Sequence, residues 1–575
     1  MIVLWGIGGL MRHSTNEVHR RIGLVALALV VVLVLSACGK KGGPNGKTGA
    51  DTDTGSVTAA QPVSVTRDLY GTKIKITAHP IKVKGDIAAL TLDYELVGKT
   101  KGALAGSNVA LYLILARSGL DLGPTKVNLV DLPGQRYYFQ LKLAGKTGVQ
   151  DAASFKKMSG SPYARNYLSD KEPKTTSVSL YEAPATDKID VFIGNLGLIT
   201  DVPIIKADNT AEVKIAAPAG VDPDIKGNYT APLRTVQIAY SDQIVTKEEN
   251  KTVTIAIGSD VLFATDKFDL SPSAQAALSS AVAQVKASAP QGEVQVVGHT
   301  DDVGETAYNQ TLSEKRAQTV ATALTSALGT DYKITAKGVG ETQPAVSGAS
   351  EAARATNRRV EITFKGSLMS KTNEKQSIPA GEIPKTDAPT VSGAGQWLEY
   401  QTLHGLIGST VLSSEQNKAS YAAKSDTYAI MVDSVSRVNG SLVATLDLKI
   451  AKLGTDSSFM YLLQTLQSFQ GGKDLQKRGY SAVGQMIGAY EVALLTGGGR
   501  VYPLDFAVPP ARIDALTAGA GMLSDTNIFY PALQNEQNGG LDQVAHITVI
   551  WPDLGQDTVD IEVPGAFRIT DVPVK

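Results

Sequence analysis

Cysteine occurs once in the 575 residues, at Cys38, so no disulfide can form within the chain. An excess of one charge is also missing: 55 Lys and Arg stand against 56 Asp and Glu, and no basic tract is present. Phosphate backbones are held by clustered Lys and Arg, so nucleic acid is excluded as the partner. The six histidines are scattered, without the ligand spacing that zinc needs. No Ser/His/Asp or Cys/His set can be assembled, which argues against an enzyme and against a cofactor. The glycine-rich LTGGGRV at Leu495 to Val501 lacks the Lys-Ser/Thr of a phosphate loop and lies between strand-like segments, so it reads as a hairpin turn. No pattern of a transmembrane β-barrel is visible.

What is there begins with RRIGLVALALVVVLVLSAC, in which Arg20 and Arg21 precede an apolar run from Ile22 to Leu35. That run falls short of the ~20 residues of a membrane span and reads as a signal sequence. Its end, Leu35-Ser36-Ala37-Cys38, resembles the bacterial lipobox, which implies lipidation of Cys38, cleavage of the signal peptide so that Cys38 becomes the mature N-terminus, and a membrane anchor on the extracytoplasmic face. MIVLWGIGGL before Met11 fits a signal peptide poorly, so Met11 is the expected start. Residues 39–62, rich in Gly, Thr and Asp, read as a flexible tether with a reach of roughly 25–30 Å. A second linker is expected at 366–396.

The regions 63–245 and 397–575 resemble each other. DKIDVFIGNLGLITDVPI from Asp187 matches DTVDIEVPGAFRITDVPV from Asp557 without a gap, at an offset of 370. KVNLVDL from Lys126 parallels RVYPLDF from Arg500, and LTLD ending at Asp93 parallels ATLD ending at Asp447. Short alternating segments separated by Gly, Asp and Pro predict antiparallel strands, hence two related all-β sandwich domains of immunoglobulin-like character. Trp397 and Trp551 are expected in a core or at an edge.

Between them, periodicity alternates between strand and helix. TVTIAIGSDVLF predicts a strand entering a loop, and Ser271 and Pro272 open a helix carrying Leu278, Ala281, Val282 and Val285 on one face. EVQVVGH predicts the next strand and leads to Asp301. A second helix turns Leu312, Ala317, Val320, Leu324 and Leu328 inward, and its apolar stripe is broken at Arg316. YKITAKGVG and RRVEITF supply further strands, with a short helix at SEAARATN between them. The order predicts an α/β domain over 246–365, a mixed sheet with helices packed on it.

VLFATDKFDLSPSAQ, VVGHTDDVGETAYNQTLSEKRAQTV, GVGETQP and RATNRRVEI, in that order and spacing, resemble the OmpA-like domain family over about residues 251–364. The resemblance implies non-covalent binding of peptidoglycan stem peptides through meso-diaminopimelate. That residue ends in an ammonium and a carboxylate on one carbon, so a binder needs an acceptor-only anion beside a forked cation. The resemblance gives these parts to Asp301 and Arg316, and adds Asn309 as an amide partner. Asn357 and Arg358 match the family's closing motif, where they support the pocket or contact the ligand, and Asp266 matches a position near the ligand. His299 has no nucleophile beside it and is expected to pack.

The resulting reading is a cell-envelope lipoprotein that binds the cell wall and tethers the membrane to it. The alternative is a receptor or assembly scaffold whose β-sandwiches bind a protein partner while the central domain localises it.

Overall fold

The computed structural model describes residues 60–69, 71–99, 108–110, 127–142, 153–155, 167–194, 196–208, 228–346, 348–368, 383–401, 427–452, 491–507, 520–522 and 544–575. Cys38, the signal sequence and nearly all of the tether lie outside the described residues. Among the described residues no helix is long and apolar enough to cross a membrane.

The central α/β module runs β1 (Arg234–Ile238), β2 (Ile244–Glu249), β3 (Thr252–Gly258), α1 (Ser259–Leu262), α2 (Ala274–Ser288), β4 (Gly292–Gly298), α3 (Thr306–Leu328), β5 (Tyr332–Gly338), α4 (Glu351–Asn357) and β6 (Arg359–Lys365). The strand order is β5-β4-β6-β3-β2-β1, with β4 and β5 parallel and the remaining pairs antiparallel. This is the mixed sheet that the alternating periodicities predict. Val253, Ile255 and Ile257 from β3, Val294 and Val296 from β4, and Val360 and Ile362 from β6 form one face. The helices answer with Leu278, Ala281 and Val285 from α2 and Ala317, Val320 and Leu324 from α3. Ser271 accepts a hydrogen bond from Ala274 N at 3.2 Å, but it is not the expected helix cap: α2 begins at Ala274, two residues beyond Pro272, and Ser273 holds the N-cap position.

The rest of the described chain is β-structure, and the regions expected as separate sandwiches contribute to one core. Ile76, Leu92, Tyr94, Val191 and Val202 cluster with Leu446, Trp551, Ile561, Phe567 and Val572. Trp551 is fully buried and donates its indole N–H to Val492 O at 3.0 Å, whereas Trp397 is partly exposed with Lys449 Nζ 4.3 Å from its ring centre. Packing the apolar strand faces of one region on those of the other removes both from water.

The segments matched at the 370 offset hold corresponding places. Strand Lys188–Ile193 pairs with Gly197–Lys206, and Thr558–Val563 pairs with Phe567–Pro573, both antiparallel and both with a register shift, at Ile189/Val191 and at Val559/Ile561. Asp201 and Asp571 both take a left-handed φ, 57° and 56°. Their amides donate to Asp190 Oδ1 at 3.0 Å and to Asp560 Oδ1 at 2.8 Å. Asp93 lies opposite Thr176 as Asp447 lies opposite His546. The parallel drawn from KVNLVDL to RVYPLDF does not extend to the sheet. Val127–Asp131 pairs with the strand at 188–193, but the strand at 558–563 pairs with Ala493–Thr496, the strand before the glycine turn. That turn is the expected hairpin, with Thr496 opposite Gly499.

Two boundaries differ from the sequence expectation. β1 and β2, expected at the end of the first sandwich region, extend the module's sheet, and β1 goes on to pair with Arg500 and Val501. Residues 383–396 of the expected second linker are docked: Thr390–Ser392 pairs in parallel with Arg568–Thr570, and Arg568 donates to the carbonyls of Pro384 and Pro389. The free edge of the C-terminal strand is thereby covered, which an edge strand needs.

Candidate ligand-binding site

The site forms where β4 ends and α3 descends beside it. Close approach requires glycine: a Cβ on Gly298 would lie 2.2 Å from Ser313 O, and one on Gly338 2.3 Å from Glu314 N. Ser313 Oγ then accepts from Gly340 N at 2.9 Å and donates to Gln310 O at 2.8 Å, which fixes the helix on the strand ends. With α3 so placed, Asn309 and Arg316 face inward, both buried.

Arg316 is 6% exposed, and its Nε donates to Lys267 O at 2.9 Å. Its guanidinium carbon lies 5.1 Å from the centre of the Phe263 ring, a cation–π contact. Its two terminal nitrogens have no protein acceptor among the described residues. Burial lowers its pKa, while the charges of Asp260, Asp266 and Tyr308 act against that shift. One edge of the fork is thus anchored on backbone and the other is open.

Asp301 makes no ion pair with Arg316. Its Oδ2 accepts from Arg358 at 2.7 Å and its Oδ1 from Val303 N at 3.1 Å. A carboxylate has about four lone-pair directions, so two contacts leave acceptor capacity. Arg358 also bonds Glu351 at 2.9 Å and Asp260 at 3.3 Å. Burial opposes its charge, but the hydrogen bonds to Asp301, Glu351 and Asp260 outweigh burial and raise its pKa above the ordinary arginine value. Asp266 is exposed, in a left-handed conformation (φ 58°), next to Lys267, whose carbonyl holds Arg316.

Asn309 Nδ2 donates to Glu341 Oε2 at 2.6 Å, to Val303 O at 3.1 Å and to Asp301 O at 3.4 Å, tying the 301–303 loop to α3. Asn357 uses both ends of its amide on one residue, accepting from Val346 N and donating to Val346 O, each at 3.0 Å. The structure therefore gathers Asp301, Arg316, Arg358, Asn309 and Asp266 around one loop and helix, and turns Asn357 toward the 339–346 segment. His299 is buried, with Nε2 3.6 Å from Glu361 Oε2. Burial would raise the Glu361 pKa, yet His299 and Arg359 hold it at about 2. The sequence reading missed Asp260, Glu351 and Glu341; all three are acids spaced near the motifs, but only the fold shows which cation each one meets.

The OmpA family model matches residues 262–358. Outer membrane protein A of Escherichia fergusonii is 40% identical over 128 residues, 20% of this chain and 53% of that protein. The chain thus spans about half the length of that relative, and 33% of outer membrane porin F of Pseudomonas fluorescens, to which it is 40% identical over 109 residues, 19% of this chain. Among solved structures, the peptidoglycan-associated lipoprotein from Burkholderia pseudomallei is 34% identical, covering 18% of this chain and 86% of that chain with a TM-score of 0.16. Residues 262–358, which hold Asp266, Asp301, Asn309, Arg316, Asn357 and Arg358, are an OmpA family domain.

Proposed function

We propose that this chain is a cell-envelope lipoprotein that binds peptidoglycan non-covalently through its OmpA family domain, recognising the diaminopimelate head of stem peptides and tethering a membrane through Cys38. The observation that carries the reading is the Arg316 fork. It is buried, anchored by Nε, and open at two terminal nitrogens, with the carboxylates of Asp260 and Asp266 near enough to act on its charge. A ligand carboxylate would take the fork in a bidentate contact, and the ligand ammonium would take the remaining acceptors of Asp301 and Asp266. Arg358 and Asn309 orient Asp301 and its loop, and Asn357 supports the wall.

The two β regions are proposed as copies of one ancestral unit, on the strength of the shared register shifts and the Asp190–Asp201 and Asp560–Asp571 contacts. The scaffold reading keeps one supporting observation. The module's sheet runs on through β1 into the C-terminal β region, so wall binding would hold that region at a fixed attitude for a protein partner.

Co-sedimentation of the full chain with purified sacculi tests the site. Arg316→Lys keeps the charge and loses the fork, and should bind at least tenfold more weakly. Asp301→Ala with Arg316→Ala should abolish binding, with circular dichroism unchanged. Full binding by that folded double variant would refute the site. Mass spectrometry of the mature N-terminus tests the lipid on Cys38.

A further inference from the structure

The module's sheet has two faces, and α2 and α3 cover only one. Side chains alternate along a strand. While Val253, Ile255, Val360 and Ile362 point to the helices, Thr254, Ala256, Arg359 and Glu361 point the other way. Over them, α4 and the turn between β1 and β2 border a half-open cavity of about 520 Å³. Part of its wall is small, Ala256 and Gly258 on the sheet with Ala345, Ala352 and Ala355 beside them, and longer side chains such as Gln243 and Arg359 complete it.

Lys247, on β2, lines this cavity, and its ammonium has no hydrogen-bond or ion-pair partner among the described residues. Two nearby acids are engaged elsewhere. Glu361 Oε1 accepts from Arg359 Nε at 2.7 Å, and Asp505 Oδ1 accepts from Arg234 Nε at 2.7 Å. The other Arg359 nitrogens reach the carbonyls of Asn357 and Gln343, both at 3.3 Å. Burial lowers the Lys247 pKa to about 8, Arg234 and Arg359 press the same way, and Asp505 and Glu361 oppose them. One cation is thus left without a protein partner among the described residues, in a half-open and partly apolar cavity where a bound anion would pair it.

We propose that this cavity binds a small aliphatic monocarboxylate, its carboxylate on Lys247 and its alkyl group on Ala256, Ala352 and Ala355. A single negative charge fits because only one cation is spare, and Asp242, Glu351 and Glu361 on the walls repel a second. The alanine and glycine lining offers no aromatic platform for a ring, and the volume lies in the range of small-molecule sites. A free short-chain acid and the carboxyl end of a peptide of small residues present the same group. The cavity is distinct from the Arg316 pocket, though Glu351 on its wall also bonds Arg358.

Calorimetric titration of the full chain with butyrate, with alanyl-alanine and with alanyl-alanine methyl ester tests the site. Butyrate, the dipeptide or both should bind at one site, and the ester should not. Butyrate alone assigns a free acid, and the dipeptide alone assigns a peptide end. Lys247→Met and Ala352→Phe should each weaken binding at least tenfold, and Arg316→Ala should leave it unchanged, which separates this site from the proposed wall site. The proposal is overturned by the absence of binding at millimolar acid, by an ester that binds as well as the acid, or by undiminished binding in folded Lys247→Met. Should Lys247→Met fail to fold, the ester comparison on the native chain and Ala352→Phe decide.

Discussion

Asn357→Ala should destabilise the wall of the pocket without removing a ligand contact. The side chain satisfies the N–H and the C=O of Val346, both at 3.0 Å, and both residues are buried. Truncation strands one buried donor and one buried acceptor. A stranded group costs ~1–3 kcal/mol, so the pair should cost about 2–6 kcal/mol. That energy should appear as easier local opening of the 341–346 segment. At 1.4 kcal/mol per tenfold, protection of the Val346 amide against hydrogen exchange should fall roughly 30- to 20,000-fold. Asn357→Asp keeps the acceptor for Val346 N–H but sets a carboxylate against Val346 O, and should also lose protection. Sacculus binding, measured where the variant is fully folded, should stay within about twofold of the native chain. Loss of binding with the Val346 amide still protected would make Asn357 a ligand contact and refute the supporting role.

Arg234→Met removes one partner of the ion pair with Asp505, whose side chains are 14% and 0% exposed, and should cost ~3–5 kcal/mol by calorimetric unfolding; a loss under ~1 kcal/mol would show that β1 is not fastened there. Gly338→Ala places a methyl 2.3 Å from Glu314 N and 2.5 Å from Ser313 Oγ, so it should destabilise by ~1–3 kcal/mol or more and weaken sacculus binding by shifting Arg316; an unchanged unfolding midpoint would refute the close packing. Lys247 has a folded-state pKa of about 8, below its ordinary 10.5, so the unfolded chain binds more protons between those values. Stability should therefore rise as pH rises from about 8 to 10.5, and urea midpoints of Lys247→Met should lack that rise.

The α/β module was legible because its information is local. The stripe Leu312, Ala317, Val320, Leu324 on α3 is a period of 3.6, its interruption at Arg316 marks a buried cation, and the fold buries all five residues. The pairing of Asp301 was not legible. Arg358 lies 57 residues away, and no local period says that the end of α4 meets the end of β4. The joint β core was illegible for a similar reason. Alternation shows that a strand has an apolar face, but not which distant strand covers it, so two regions with good strand patterns read as two domains. The hairpin of β1 and β2 has ordinary strand character and could have been given to either neighbour. Its place is decided by long-range contacts such as Arg234 to Asp505 and Gln237 to Thr496.

Reading Asp301 as a bare anion also misplaces the charge of the pocket. Arg358 is ringed by three carboxylates, Asp301, Asp260 and Glu351, so that wall keeps a net negative charge even though Asp301 is already paired. Asp260 and Asp266 also act on the charge of Arg316, whose open fork has no acid bonded to it among the described residues. A neutral or purely cationic head would leave the fork without a partner, and a purely anionic head would meet the acids. On the proposed reading, only a head that carries both charges on neighbouring atoms satisfies both walls. Arg358 then has a part of its own: by holding one oxygen of Asp301 while its other bonds reach Asp260 and Glu351, it keeps three mutually repelling carboxylates close enough to act as one anionic surface.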